Sequence, residues 1–199
     1  MASIKRVIPK HSYSGIKWKS NHTNKKYLAI DFNYHCAYCD DADRYNGGSR
    51  YYQVDHFAPE SKFPELKYTY ENLLYTCPYC NRAKSDTWVS NDASISVVDD
   101  IGFISPCQDE YYMHLTRNDD GTISPSTSLG LYMWTQLKLY LRRHSLLYLL
   151  EQVDKRCDEL ELLIKERESD GKDTTALRLA YSSVAMKLRE YYNLAYVET

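Results

Sequence analysis

The sequence has no apolar run approaching the roughly 20 residues that a membrane span needs, so no spanning helix is expected. It lacks an apolar stretch behind its charged start, Met1-Ala2-Ser3-Ile4-Lys5-Arg6. That argues against a secretory leader and makes the cytoplasm the expected location. Net charge is nearly absent, −2 over 199 residues, which argues against a generic polyanion binder. The apolar share of 43% and charged share of 26% are ordinary for globular proteins, so disordered and collagen-like classes are excluded. The length suits one substantial core plus a smaller appended module.

The small net charge hides an asymmetry. Residues 1–89 carry thirteen Lys or Arg against nine Asp or Glu, a formal +4, and the remainder carries a formal −6. Lys5, Arg6, Lys10, Lys17, Lys19, Lys25 and Lys26 all precede the first acid, Asp31. Such a basic arm suits a phosphate backbone, with Lys17 and Lys19 as candidate nucleic-acid contacts. A solvated terminus without a ligand would carry the same charges.

Four of the six cysteines form two pairs of identical spacing, Cys36-Ala-Tyr-Cys39 and Cys77-Pro-Tyr-Cys80. A two-residue gap lets two thiolates on one tight turn point at a single ion, and two such turns complete a tetrahedron of sulfurs around zinc. Four sulfurs leave no open position, so the expected metal is structural. A disulfide framework is the competing reading, but a chain without a secretion signal is expected among reduced thiols. Cys107 and Cys157 read as small buried residues or surface thiols.

Between the pairs, Arg50-Tyr-Tyr-Gln-Val-Asp55-His56 reads as a short strand after the turn signal Asn46-Gly47-Gly48. Asp55 and His56 then leave the strand on opposite faces. Glu71 to Thr76 reads as a second strand running into Cys77, and a helical turn follows, continued by Asn81-Arg82-Ala83-Lys84-Ser85-Asp86. A carboxylate, an imidazole and an amide on such a frame suit one hydrated magnesium ion facing a phosphate. Neutral imidazole accepts a proton near neutral pH.

The run Val54-Asp55-His56, then Asn72-Leu73-Leu74, then Cys77-Pro-Tyr-Cys80-Asn81-Arg82-Ala83-Lys84-Ser85-Asp86 resembles the HNH endonucleases, with their ββα-metal fold, in the branch braced by four cysteines. The likeness covers about residues 30–90. It implies that His56 activates water, that Asp55 and Asn81 bind a catalytic Mg2+ or Mn2+, and that Asn72 orients His56. The family often has histidine where Asn81 stands. Arg82 and Lys84 would hold flanking phosphates, or would lie on a solvated helix face. His35 reads as exposed or beside the zinc, and the other histidines lack comparable neighbours.

Beyond Trp88, extended segments at 95–98 and 102–105 and a turn at Asn118-Asp119-Asp120-Gly121 precede a helical region. Little interrupts a helix from Leu129 to about Arg167, where Leu146, Leu150, Val153, Cys157, Leu160 and Ile164 form one stripe. A second helix from about Thr174 to Tyr196, with Leu177, Ala180, Val184 and Tyr191 on one face, would pair with it as an antiparallel hairpin. The expected fold is α+β: an arm at 1–27, a zinc-braced nuclease core at 28–90, connecting segments at 91–125 and helices at 126–199. The chain is also similar to stand-alone HNH proteins found beside ATPases in bacterial anti-phage defence, the Septu type among them. That likeness implies a DNA substrate and a partner, either an ATPase subunit or a second copy docked through the C-terminal helices. A zinc-stabilised adaptor without catalysis is the alternative.

Overall fold

The computed structural model describes residues 2–4, 7–13 and 20–196. In chain order the elements are β1 (Ala2–Ser3), α1 (Asn21–Asp31), β2 (Gln53–His56), β3 (Leu73–Thr76), α2 (Pro78–Lys84), β4 (Val97–Val98), β5 (Ile101–Gly102), α3 (Tyr111–His114), β6 (Leu115–Arg117), β7 (Ile123–Pro125), α4 (Ser128–Gln136), α5 (Arg142–Ser169) and α6 (Thr175–Tyr196). The fold is α+β, with short antiparallel strand pairs among helices. Lys17 and Lys19, like Lys5 and Arg6 of the basic arm, lie outside the described residues. Helix α1 crosses the 27/28 boundary expected between arm and core.

Strands β2 and β3 pair antiparallel from Gln53 opposite Thr76 to His56 opposite Leu73. Strand β3 is buried along its whole length, so it reads as an apolar run rather than an alternating one. It lies under α1, whose Leu28, with Phe32 at the helix C-cap, shares a core with Tyr38, Leu73, Leu74 and Tyr75. The expected hairpin at Asn118–Gly121 joins β6 to β7, and β1 adds a third strand beside β6.

The expectation of one helix from Leu129 to Arg167 is corrected. Helix α4 ends at Gln136 and α5 begins at Arg142. Lys138 between them adopts φ 55°, outside the helical region. The break drives both Leu137 and Leu139 into the core, a burial that one continuous helix would deny to one of them. Helix α4 is capped by Thr127, whose hydroxyl accepts from Gly130 N at 2.9 Å.

Of the expected stripe on α5, Leu146, Leu150, Cys157, Leu160 and Ile164 are buried and Val153 is partly so. Helix α6 packs on α5, with Leu177, Val184 and Tyr191 half-buried and Ala180 exposed. Glu168 at the end of α5 pairs with Arg178 across the hairpin. No helix among the described residues is long and apolar enough to cross a membrane.

Candidate active site and cysteine cluster

The first cysteine pair sits on a turn closed by Asp40 N donating to Cys36 O at 3.1 Å and Cys36 N donating to Asp41 O at 2.9 Å. Asp40 reverses the chain at φ 60°, a conformation that aspartate tolerates better than most side chains. Ala37 N donates to Tyr75 O at 2.7 Å, which fastens this turn to β3. The second pair opens α2: Cys77 is its N-cap, Pro78 follows in the first turn, and Cys77 Sγ accepts from Cys80 N at 3.4 Å.

The result is a closed cluster. Cys36, Cys39, Cys77 and Cys80 are each 0% exposed, and their sulfurs all lie within 4.8 Å of one another. Cys39 Sγ and Cys77 Sγ are 3.8 Å apart, too far for a disulfide. A tetrahedron with zinc–sulfur bonds of about 2.3 Å has edges of about 3.8 Å. The donors therefore fit a structural zinc. Burial disfavours the Cys36 thiolate, yet hydrogen bonds from the other three thiols hold its pKa well below the usual value.

Four thiolates on one zinc would carry formal negative charge, and cationic groups stand nearby. Asp41 accepts from His144 Nδ1 at 2.8 Å and from Arg143 Nη1 at 3.1 Å. Burial pulls the Arg143 guanidinium pKa down, but Asp41, Cys39 and Cys77 outweigh it and hold it raised. Cys39, Asp41 and His144 also converge within 4.8 Å, so His144 does have a partner that its sequence neighbours did not reveal. Buried Arg117 donates to Cys39 O, to Gly121 O at 2.8 Å and to His144 O at 3.4 Å. It ties the β6–β7 turn and the start of α5 to the first cysteine turn. His35 meets Glu151 of α5 at 3.1 Å.

Asp55 and His56 leave β2 on opposite faces. Asp55 is 4% exposed. Its Oδ2 accepts from Tyr38 OH at 2.6 Å and its Oδ1 lies 3.4 Å from Lys84 Nζ. Burial raises the Asp55 pKa, with Lys84 and Tyr38 pulling against that rise without cancelling it. The expectation for Lys84 is corrected: it is 0% exposed and also donates to His56 O at 2.9 Å. A lysine sealed this way reaches no flanking phosphate and lies on no solvated face. Arg82, two residues earlier on α2 and so about half a turn away, is exposed.

On the other face, His56 Nε2 lies 2.9 Å from Lys67 O and 3.6 Å from Glu60 Oε2. A carbonyl oxygen only accepts, so Nε2 carries the proton and the neutral ring presents Nδ1 as its base. Asn72 makes no direct bond to His56 among those observed. Its amide accepts from Ala58 N at 2.8 Å and donates to Ala58 O at 2.9 Å, with a longer bond to Leu66 O. Asn72 thus pins the ends of the loop that follows His56. Asn81 Nδ2 donates to Gln53 Oε1 at 2.7 Å, on the same side of β2 as Asp55.

As arranged, Asp55 and Asn81 do not form an open divalent-ion site. Both Asp55 oxygens are engaged, and the cation beside them is an ammonium. Tyr38 and Asp41 are neighbours that sequence reading misses, and Lys84 is one to which it gives a different place, since long-range packing alone brings them to Asp55 and to the cysteine cluster.

A 49-residue segment is 39% identical to the "Septu protein PtuB" of Bacillus thuringiensis, covering 25% of this chain and 18% of that protein. The chain therefore matches less than a fifth of the length of that relative. Residues 36–87, from the first cysteine of the cluster to just beyond α2, match the HNH endonuclease family model, and the chain carries an HNH domain there, with its four cysteines gathered in it.

Proposed function

We propose that this protein is a metal-dependent HNH endonuclease that hydrolyses DNA phosphodiester bonds, with His56 as general base. One observation carries the reading: a backbone carbonyl holds the imidazole in a single tautomer, so that Nδ1 is the proton acceptor. A base fixed at a known atom takes the proton from attacking water without first rotating. Arg82 on the exposed face of α2 and the basic residues of the arm, Lys17 and Lys19 among them, contribute phosphate contacts. Asn72 positions His56 indirectly, by holding the loop that supplies Lys67 O.

The ion belongs to the proposal through the HNH resemblance. Mg2+ or Mn2+, when bound, would polarise the scissile phosphate. For Asp55 to hold it, the Lys84 ammonium would have to be displaced, and Asn81 would have to release Gln53. Action as an effector nuclease in bacterial defence, beside an ATPase subunit or as a homodimer through α5 and α6, is supported by the Septu likeness. The exposed Leu179 and Met186 of α6 agree with a covered surface there. The rival reading, a zinc-stabilised adaptor without catalysis, draws on the internal pairing of Asp55 with Lys84.

Nicking of supercoiled plasmid separates the two readings. The expected result is cutting with magnesium or manganese that His56→Ala lowers by about a hundredfold or more, with bound zinc and melting temperature unchanged. Full activity in His56→Ala removes His56 from the chemistry. DNA binding without cutting under either metal selects the adaptor.

A further inference from the structure

Beside the exposed face of α2 lies a cleft of which the phosphodiesterase reading uses only Arg82. One hollow of about 300 Å³ is lined by Asn46, Tyr51, Pro78, Tyr79 and Arg82. It adjoins a second of about 420 Å³ that shares Asn46, Tyr51 and Tyr79 and is backed by Arg143. The first volume stands at the lower end of the range for small-ligand pockets. No carboxylate lines either hollow.

Tyr34, Tyr140 and Tyr192 are exposed to a similar degree as Tyr51 (62%) and Tyr79 (50%). Tyr51 and Tyr79 differ in lining one hollow together, beside the Arg82 cation. Both are also held in place. The Arg143 guanidinium carbon sits 3.7 Å from the centroid of the Tyr79 ring, and Arg143 is in turn anchored on Asp41 and Asn46. The Tyr51 ring lies against Gly47, where an added Cβ would come within 2.5 Å of it. Gly47 sits at φ 84°, so the turn that seats Tyr51 requires glycine twice over.

The cleft is lined by residues that neighbour the Asn81–Gln53 pair in sequence. Arg82 follows Asn81 on α2, and Tyr51 stands two residues before Gln53, the partner of Asn81. An occupant should therefore be planar and aromatic, and should carry negative charge toward Arg82. A nucleobase on a phosphate backbone has that chemistry. We propose that the Tyr51–Tyr79 cleft is a stacking subsite for an unpaired base of the nuclease's substrate strand. This rests on the nuclease reading for the identity of the strand. The subsite would favour single-stranded, frayed or flipped-out substrate, because a base inside a duplex cannot reach two protein rings.

Fluorescence anisotropy of the full chain in magnesium-free buffer tests this, using a labelled single-stranded 12-mer of thymidines and an abasic 12-mer with the same number of phosphates. The wild type is expected to prefer the base-bearing strand by about tenfold or more. Tyr51→Ala with Tyr79→Ala should erase that preference while leaving abasic-strand affinity and bound zinc unchanged. Tyr51→Phe with Tyr79→Phe should keep it, since stacking does not need the hydroxyls. Equal wild-type affinity for both strands overturns the proposal, as does a preference that survives the double alanine change. Plasmid cutting is read separately: no cutting with a retained preference sinks the nuclease reading alone, and cutting without a preference sinks the subsite alone.

Discussion

The Asp55 carboxylate and the Lys84 ammonium lie 3.4 Å apart, and neither side chain is more than 5% exposed. The pair links β2 to the last turn of α2 at the position where the HNH resemblance places a catalytic cation. Lys84 thus acts as the resident counter-ion of that position.

Removing one member should therefore be far worse than removing both. Lys84→Met strands a buried carboxylate and is expected to cost about 3–5 kcal/mol, whereas Lys84→Met with Asp55→Asn should recover most of that loss. Urea denaturation of the wild type, both single variants and the double variant closes the cycle. Additive losses would mean that the two groups do not interact.

The cysteine cluster gives an independent expectation. Cys80→Ser should lower bound zinc from one ion per chain to nearly none and open the core around Tyr38 and Tyr75, because the sulfurs hold segments about forty residues apart. Metal analysis with limited proteolysis checks this. Retained zinc and an unchanged melting temperature would contradict a four-sulfur site.

Much of this architecture can be read from residue spacing. The two C-x-x-C turns, the β2–β3 strands, the turn at Asn118–Gly121 and the α5 stripe are local patterns whose period or spacing identifies them. The missed features have no local signature. A left-handed Lys138 is set by the burial of Leu137 and Leu139, and no glycine marks the break. Lys84 looks like a solvated helix charge until β2 closes over it. Asp41 and His144 are 103 positions apart in sequence, so the polar support of the cysteine cluster emerges only after folding. The nuclease motif names Asp55 and Asn81, but their bonds to Lys84 and Gln53 belong to tertiary structure.

Docking of α5 onto the first cysteine turn should depend on pH. Burial lowers the His35 pKa, but its bond to Glu151 and the nearby Asp40 more than reverse this, leaving it raised above 6.5. The folded state thus holds the proton more tightly than the unfolded chain. The resulting stability is fully present below about pH 6.5 and is lost as pH rises through the folded-state value. Glu151→Gln should flatten that dependence as pH rises above about 6.5, as read from denaturation midpoints. An identical pH slope in the variant would show that Glu151 does not hold the proton on His35.

Asn72 offers the sharpest test of how the candidate base is held. Its side chain closes two bonds on Ala58, and His56 closes its own bond on Lys67, at the two ends of one loop. Asn72→Ala leaves the buried Ala58 N–H and C=O without these partners, at a cost of about 1–3 kcal/mol. It also frees the segment that carries Lys67 O. The imidazole then loses the acceptor that fixes its tautomer, and Nδ1 is no longer reserved as the base. A purely structural asparagine would lower stability while sparing turnover in the molecules that remain folded. A positioning asparagine should lower kcat by about tenfold to a hundredfold at a temperature where the variant is fully folded, with zinc content and DNA affinity unchanged. Asn72→Asp should fare no better, because a carboxylate cannot donate to Ala58 O. Undiminished kcat in either variant would separate the loop from the chemistry of His56.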